Sequence, residues 1–381
     1  MSPLYSSRAR QCTIADSSTK YFKKFFDILE KLNDFKIVPI EGKGVGWIAL
    51  QDIKIGTLIL SEKCQFEPKI QNDLWSLMEC FFSMTTMDQK DFLKLSNLFW
   101  ENPDFSESRK VDYDNWMAFA NHYSTHHSSK NPEFDGELVL KIICIFESNK
   151  SFGAGGSVAI KNSMINHSCC ANAFSFKRNG NMEVRTTHKI KEGQEITTNY
   201  DLHWQCVMQK RKRRQEVIRA EYGFNCCCEL CQDEEINDNE ESYEMFRKIT
   251  DNTEILNNII EFETETMKKS PGEFKKSCYS EILKSVEKRQ HCFTELYNFA
   301  RNKKVPKDYI LHILEGSVQC LYFGIKLCKQ AEQYNLFIDE MKYFEEKVRI
   351  LVKIGLKIAK MCYGNDYILT AKWNNRVETL M

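Results

Sequence analysis

The sequence predicts an α+β protein: a β-rich unit, interrupted by a helical insert and closed by a cysteine-rich segment, precedes an all-α C-terminal domain. Three observations predict it. Short strand patterns occur in two separated stretches, 44–60 and 174–200, and three cysteines crowd into FNCCCELC at 224–231. Beyond the acidic stretch 232–242, Gly and Pro become sparse and apolar residues recur every three or four positions. At 381 residues the chain exceeds the ~250–300 at which single cores stop growing, so at least two domains are expected.

In chain order, residues 1–39 read as an N-terminal helical extension. Residues 40–62 hold two short strands around a turn at Asp52–Gly56. Residues 63–148 read as a helical insert, with Leu74-Trp75, Leu77-Met78, Phe81-Phe82 and Leu93 to Trp100 as its apolar groups. The β pattern returns in 149–204, where Asn179-Gly180 suits a two-residue hairpin turn. Residues 205–231 carry a helix and then the cysteines, and 243–381 form the helical domain. Two stripes there, Ile310, Leu314, Val318, Leu321, Ile325, Cys328 and Phe344, Val348, Leu351, Ile354, Ile358, Met361, have the spacing of faces buried against other helices.

Lys+Arg and Asp+Glu both number 53, so no net charge draws the molecule to nucleic acid or a membrane surface, and no sequence-specific nucleic-acid binding is expected. The first residues lack an apolar leader and no run approaches the ~18 residues of a membrane span. A cytoplasmic or nuclear location is expected. In such a compartment the 16 cysteines are thiols or metal ligands rather than disulfides. Cys12, Cys64, Cys80, Cys278, Cys292, Cys320, Cys328 and Cys362 stand singly among apolar or helical residues and read as small core hydrophobes.

Chemistry concentrates in two places. Cys226, Cys228 and Cys231 have C-x-C-x2-C spacing and can share one zinc ion, which needs a fourth ligand from elsewhere; Cys169 or Cys170 of NHSCCAN is the candidate. Cys227, between two ligands, is expected to point away. The second place is SMINHSCCAN, followed about 30 residues later by ITTNY.

The ordered segments SMINHSCCAN, EVRTTHKIKEGQEITTNY and YGFNCCCELC resemble the SET domain and post-SET motif of the SET-and-MYND methyltransferase family, and GKGVGWIALQDIKIGTLILSE resembles its N-terminal SET segment. The resemblance covers residues 40–62 and 141–231, and implies a TPR-like helical C-terminal domain. It implies a protein-lysine N-methyltransferase using S-adenosyl-L-methionine, with one structural Zn2+ ion. Carried over residue by residue, Lys43, Gly44, Val45 and Gly46 match the cofactor turn, Asn166 and His167 the pair that holds the cofactor, and Tyr200 the active-site tyrosine. Phe224 matches a wall of the cofactor pocket, Tyr222 a wall of the lysine channel, and Asn149 a further cofactor contact. Cys169, Cys226, Cys228 and Cys231 match the zinc ligands.

The chain departs from the family in three ways. Residues 61–143 contain only Cys64 and Cys80, so the MYND zinc finger is missing. Ala171 replaces the usual proline, and Trp47 stands where a smaller residue is commoner, which would alter the cofactor rim. His122, His126 and His127 have metal-compatible spacing but lack the glutamate of a zincin motif, and read as an exposed polar loop. Lys210–Arg214, KRKRR, reads as a solvated helix face rather than a localisation signal. The competing functional reading is a catalytically weak or inactive, zinc-stabilised interaction module. Its partner would dock on the C-terminal helices.

Overall fold

The computed structural model describes residues 35–70, 73–127, 135–151, 156–200, 210–232, 244, 272–302, 305, 307–331, 337–365 and 368–380. Strands β1 (Phe35–Ile40) and β2 (Gly44–Ala49) form a hairpin, and β3 (Leu58–Lys63) follows. Residues 35–39 are therefore strand, not the helical extension expected from sequence; residues 1–34 lie outside the described residues. The reason is alternating burial together with pairing to β2. Phe35 and Ile37 turn inward while Lys36 faces out, a period-2 pattern, and β1 pairs with β2 along its whole length.

The insert folds as α1 (Leu74–Ser83), α2 (Thr86–Phe92), α3 (Leu98–Glu101), α4 (Pro103–Ser108), α5 (Lys110–His127) and α6 (Gly136–Asn149). Side chains cap these helices at their starts: Asp73 accepts from the Ser76 N–H, Asn102 from Phe105 and Asp135 from Leu138. The 122–127 histidines lie on α5, so the expected loop is a helix; the His122 and His126 rings sit 4.2 Å apart at its exposed end.

Next come β4 (Asn166–His167), β5 (Ala173–Arg178), β6 (Asn181–Thr186) and β7 (Glu195–Thr198). Asn179 and Gly180 both have positive φ (51° and 79°), as the two-residue β5–β6 hairpin requires. Two sheets result, ordered β1-β2-β7-β4 and β3-β6-β5. The strands flanking the Asp52–Gly56 turn thus belong to different sheets, and β4 pairs with β7 in parallel, Asn166 opposite Thr197 and His167 opposite Thr198.

After α7 (Arg211–Tyr222) and the short α8 (Glu229–Gln232) the chain is helical: α9 (Gly272–Asn302), α10 (Lys307–Ala331), α11 (Ile338–Tyr363) and α12 (Ile368–Leu380). All six α10 stripe residues are buried, whereas in α11 Leu351, Ile354 and Met361 are only half-buried. Among the described residues no helix is long and apolar enough to cross a membrane.

Two hydrophobic cores organise the molecule. One joins β1–β3, the insert and α6 around Phe35, Trp47, Phe66 and Phe92. The other begins at Cys169, Cys226 and Cys231 and continues into α9–α12, where Tyr363 packs edge-on against Phe174 and Phe176 of β5. The C-terminal helices thus share a core with the cysteine corner. Trp47 is fully buried and stacked on Phe35, ring centroids 3.5 Å apart, so it belongs to the first core and not to a rim.

Candidate active site and metal centre

β2, β4 and β7 lie side by side, which brings residues 43–46, 166–167 and 195–200 together. Asn166 is the joint. Its Nδ2 donates to the Val45 carbonyl and to Glu195 Oε1, both at 3.0 Å, and Glu195 Oε2 pairs with Lys43 Nζ at 2.7 Å. Partial burial works against the Lys43 charge, but the hydrogen bond and charge of Glu195 outweigh it and raise the Lys43 pKa above its ordinary value. Gly46 is required by space: a Cβ there would come within 2.6 Å of Asn166 Nδ2. Among the described residues no donor meets Asn166 Oδ1, so the site retains one acceptor.

Asn172 holds β7 in place, donating from Nδ2 to the Glu195 carbonyl (2.8 Å) and accepting the Thr197 N–H at Oδ1 (2.9 Å). The buried Glu62 carboxylate accepts the N–H groups of Lys161 and Asn162, which fixes the 3-10 turn before β4.

Two residues past β7, Tyr200 donates its hydroxyl to the Ile165 carbonyl (2.9 Å) and its N–H to His167 Nδ1 (3.2 Å). Burial, reinforced by the Glu195 charge, pushes the phenol well above its usual pKa and keeps it neutral. Burial also pulls His167 down to about 4, so its ring is neutral near pH 7. Around Tyr200 stand three aromatic rings: Tyr222 at 5.1 Å, His167 at 5.3 Å and Phe224 at 6.4 Å between centroids. Tyr222 also donates its hydroxyl to the Tyr200 carbonyl, so it braces Tyr200.

The cysteines converge next door. α7 ends at Gly223, whose φ of +70° only glycine adopts readily, and whose missing Cβ leaves room for Phe105 of the insert. The turn delivers Cys226, Cys228 and Cys231 to Cys169, all four sulfurs lying within 4.8 Å of one another. Tetrahedral zinc with Zn–S of ~2.3 Å requires sulfur–sulfur edges of ~3.8 Å; Cys169 lies 3.7 Å from Cys231 and 3.9 Å from Cys226. The four residues fit such an ion. Cys170 flanks the group and Cys227 is exposed, as its position between ligands predicted.

Donors surround these sulfurs. His167 Nε2 is 3.4 Å from Cys169 Sγ, and buried Arg214 places Nη2 3.7 Å from Cys231 Sγ and 3.2 Å from the Leu230 carbonyl. The KRKRR run is thus not wholly a solvated face: Arg211, Lys212 and Arg213 are exposed, but Arg214 turns inward because α7 packs on the cysteine segment. Asn149 lies apart. Its Nδ2 donates to the carbonyls of Ser96 and Ile145, pinning the end of α6 to the insert.

Glu195 escaped the sequence reading; Asn172 lay within the NHSCCAN constellation and Arg214 within KRKRR, but their contacts to β7 and Cys231 were not anticipated. Glu195 had a signal, an acid next to an apolar strand residue in GQEITTNY, but its partners are 152 and 29 residues away in the chain.

Comparison with known proteins gives a match of residues 44–201 to the SET domain model. A SET domain-containing protein of Acanthamoeba polyphaga mimivirus is 30% identical over 217 residues, covering 53% of this chain and 78% of that protein. The histone-lysine N-methyltransferase set5 of Schizosaccharomyces pombe is 26% identical over 205 residues, 53% of this chain and 51% of that protein. The human N-lysine methyltransferase SMYD2 is 24% identical over 302 residues, 69% of this chain and 65% of that protein. The chain thus spans about half to two thirds of these two cellular relatives.

Proposed function

This chain belongs to the SET-domain family, and from that premise we propose that it is an S-adenosyl-L-methionine-dependent protein-lysine N-methyltransferase. The observation that carries the reading is the hydroxyl of Tyr200: it donates its hydrogen bond to the Ile165 carbonyl, which leaves its oxygen as an acceptor among the surrounding aromatic rings. A neutral phenol of this kind is an acceptor for an amine N–H and not a base.

The cofactor would rest on the turn Lys43–Gly46, with Asn166 Oδ1 accepting from its amino group and Phe224 against its flat part. When bound it supplies an electrophilic methyl group on a sulfonium. The chain's residues do the rest. Tyr222 and Phe224 wall a channel for one lysine side chain, and burial there lowers the lysine pKa from ~10.4 so that the amine loses its proton. Tyr200 then orients the amine lone pair along the channel, so that most of the rate comes from positioning. Zinc bound by Cys169, Cys226, Cys228 and Cys231 would tie the β4 loop to the segment that carries Phe224. Its contribution is structural.

The test is Tyr200→Phe, which keeps the ring and removes the hydroxyl. Turnover on a protein extract with labelled cofactor is expected to fall by roughly 100-fold or more, while cofactor affinity and melting temperature change little. A wild-type protein that binds cofactor yet labels nothing in the extract would overturn the reading in favour of an interaction module.

A further inference from the structure

His167 makes polar contacts to both halves of the site. One ring nitrogen meets a zinc-fit sulfur, Nε2 to Cys169 Sγ at 3.4 Å, and the other meets the tyrosine, Nδ1 to the Tyr200 N–H at 3.2 Å. A backbone N–H can only donate, so Nδ1 must be the bare nitrogen of the ring and Nε2 must carry the proton. That proton faces Cys169 Sγ, which as a metal-bound thiolate is an acceptor. Both nitrogens are then spent inside the protein.

We propose that His167 is a positioning residue that couples the zinc corner to Tyr200: the Cys169 thiolate fixes one tautomer, and that tautomer's bare Nδ1 holds the Tyr200 backbone. The inference rests on the zinc and methyltransferase reading above. It gives the ring a different duty from the cofactor contact that the family resemblance implies. Metal-bound residues are commonly oriented by such outer hydrogen bonds. Here the direction is reversed, with the metal's ligand orienting a neighbour. β4, only two residues long, holds His167 by its pairing with Thr198, so the ring is fixed at its backbone and at both nitrogens.

The experiment uses the full chain loaded with zinc and labelled with 15N-histidine. In the wild type, the His167 resonances are expected to show an unprotonated Nδ1 and a protonated Nε2; a protonated Nδ1 in zinc-loaded protein overturns the inference. Two substitutions then separate the two hydrogen bonds. His167→Asn can offer an oxygen near the Nδ1 position but does not reach Cys169, whereas His167→Gln can offer an N–H near the Nε2 position but leaves the Tyr200 N–H without an acceptor. His167→Asn is expected to lose zinc affinity by about 10–100-fold against a competing chelator, and more than His167→Gln does. His167→Gln is expected to lose more kcat, and to shift the Tyr200 amide resonance more, than His167→Asn does. If one variant is worse in every readout, the histidine merely packs and the inference fails. Elemental analysis that finds no zinc in wild-type protein instead removes the zinc reading itself, and an absence of methyl transfer removes the enzyme reading while the tautomer and zinc readouts still stand.

Discussion

The first hydrophobic core and the cysteine segment are built by different means. In the core shared by β1–β3 and the insert, Phe35 stacks on Trp47, Phe66 on Phe92 and Phe99 edge-on against Phe105, so that region is held by apolar burial. In the cysteine segment, residues 223–232 make a turn and one helical turn, which bury too little apolar surface to order themselves. Four cysteines that could hold a metal ion converge there, and Cys226, Leu230 and Cys231 are buried in the core shared with the C-terminal helices. A short segment with little core of its own can thus be placed by a cluster of potential metal ligands together with packing on a neighbouring domain.

The largest effect that breaks this comparison should come from removing the metal. Cys228→Ser with Cys231→Ser, or a strong chelator, is expected to release zinc and disorder residues 223–232, with loss of up to several kcal/mol since metal binding is folding energy for such segments. Near-ultraviolet dichroism should still report the Phe35–Trp47 stack. Full zinc retention in the double variant, or collapse of both regions together, contradicts their separate stabilisation.

Gly46→Ala comes next. The new methyl group meets Asn166 Nδ2 at 2.6 Å and Glu195 Oε1 at 3.2 Å, so the Asn166 joint must shift. Overpacking of this kind costs about 1–3 kcal/mol. The expected result is a drop of roughly tenfold or more in cofactor affinity by calorimetry, about what 1.4 kcal/mol produces, with zinc content unchanged.

A smaller effect marks the helical domain. Glu315 of α10 accepts two hydrogen bonds from Arg376 of α12, at 2.5 and 2.6 Å, and one from Lys372. Burial raises the Glu315 pKa, but these partners outweigh it and bring it from 4.5 to about 2. Because the folded value is depressed, the stabilisation is fully present above pH ~4.5 and fades as the pH falls toward ~2. After allowance for solvent screening it amounts to about 1 kcal/mol. Glu315→Gln should therefore melt a few degrees below wild type at pH 7, with the gap narrowing at pH 3.

The smallest effect is expected of Trp47→Phe. Among the described residues the buried Trp47 Nε1 has no hydrogen-bond partner, so its loss relieves a cost that offsets the smaller ring. Stability should change by less than about 1 kcal/mol, and cofactor affinity not at all. A shift in cofactor affinity would return Trp47 to the rim.

Much of the fold was legible because it depends on local rules. The Asn179-Gly180 turn, the period of the α10 stripe and the spacing of Cys226, Cys228 and Cys231 are each decided within a few residues. β1 was not legible: its six residues include Pro39, and they become a strand because β2 lies beside them. The α5 histidines were misread as a loop because a polar helix with little amphipathic pattern leaves no periodic signal.

By itself, the sequence determined the α+β class, the cysteine group, the helical C-terminal domain and the membership of Tyr200, Asn166 and Cys169 in one constellation. Only the tertiary structure decided how they are joined. Glu195 reaches Lys43 across 152 residues, Asn166 reaches Val45 across 121, and Arg214 leaves a run of exposed cations to face Cys231. Parallel pairing of β4 with β7 lays His167 beside Thr198 and so brings its ring to Tyr200. Hydrogen-bond partners are set by distances in space, and the order of residues along the chain carries no record of them until the strands have paired.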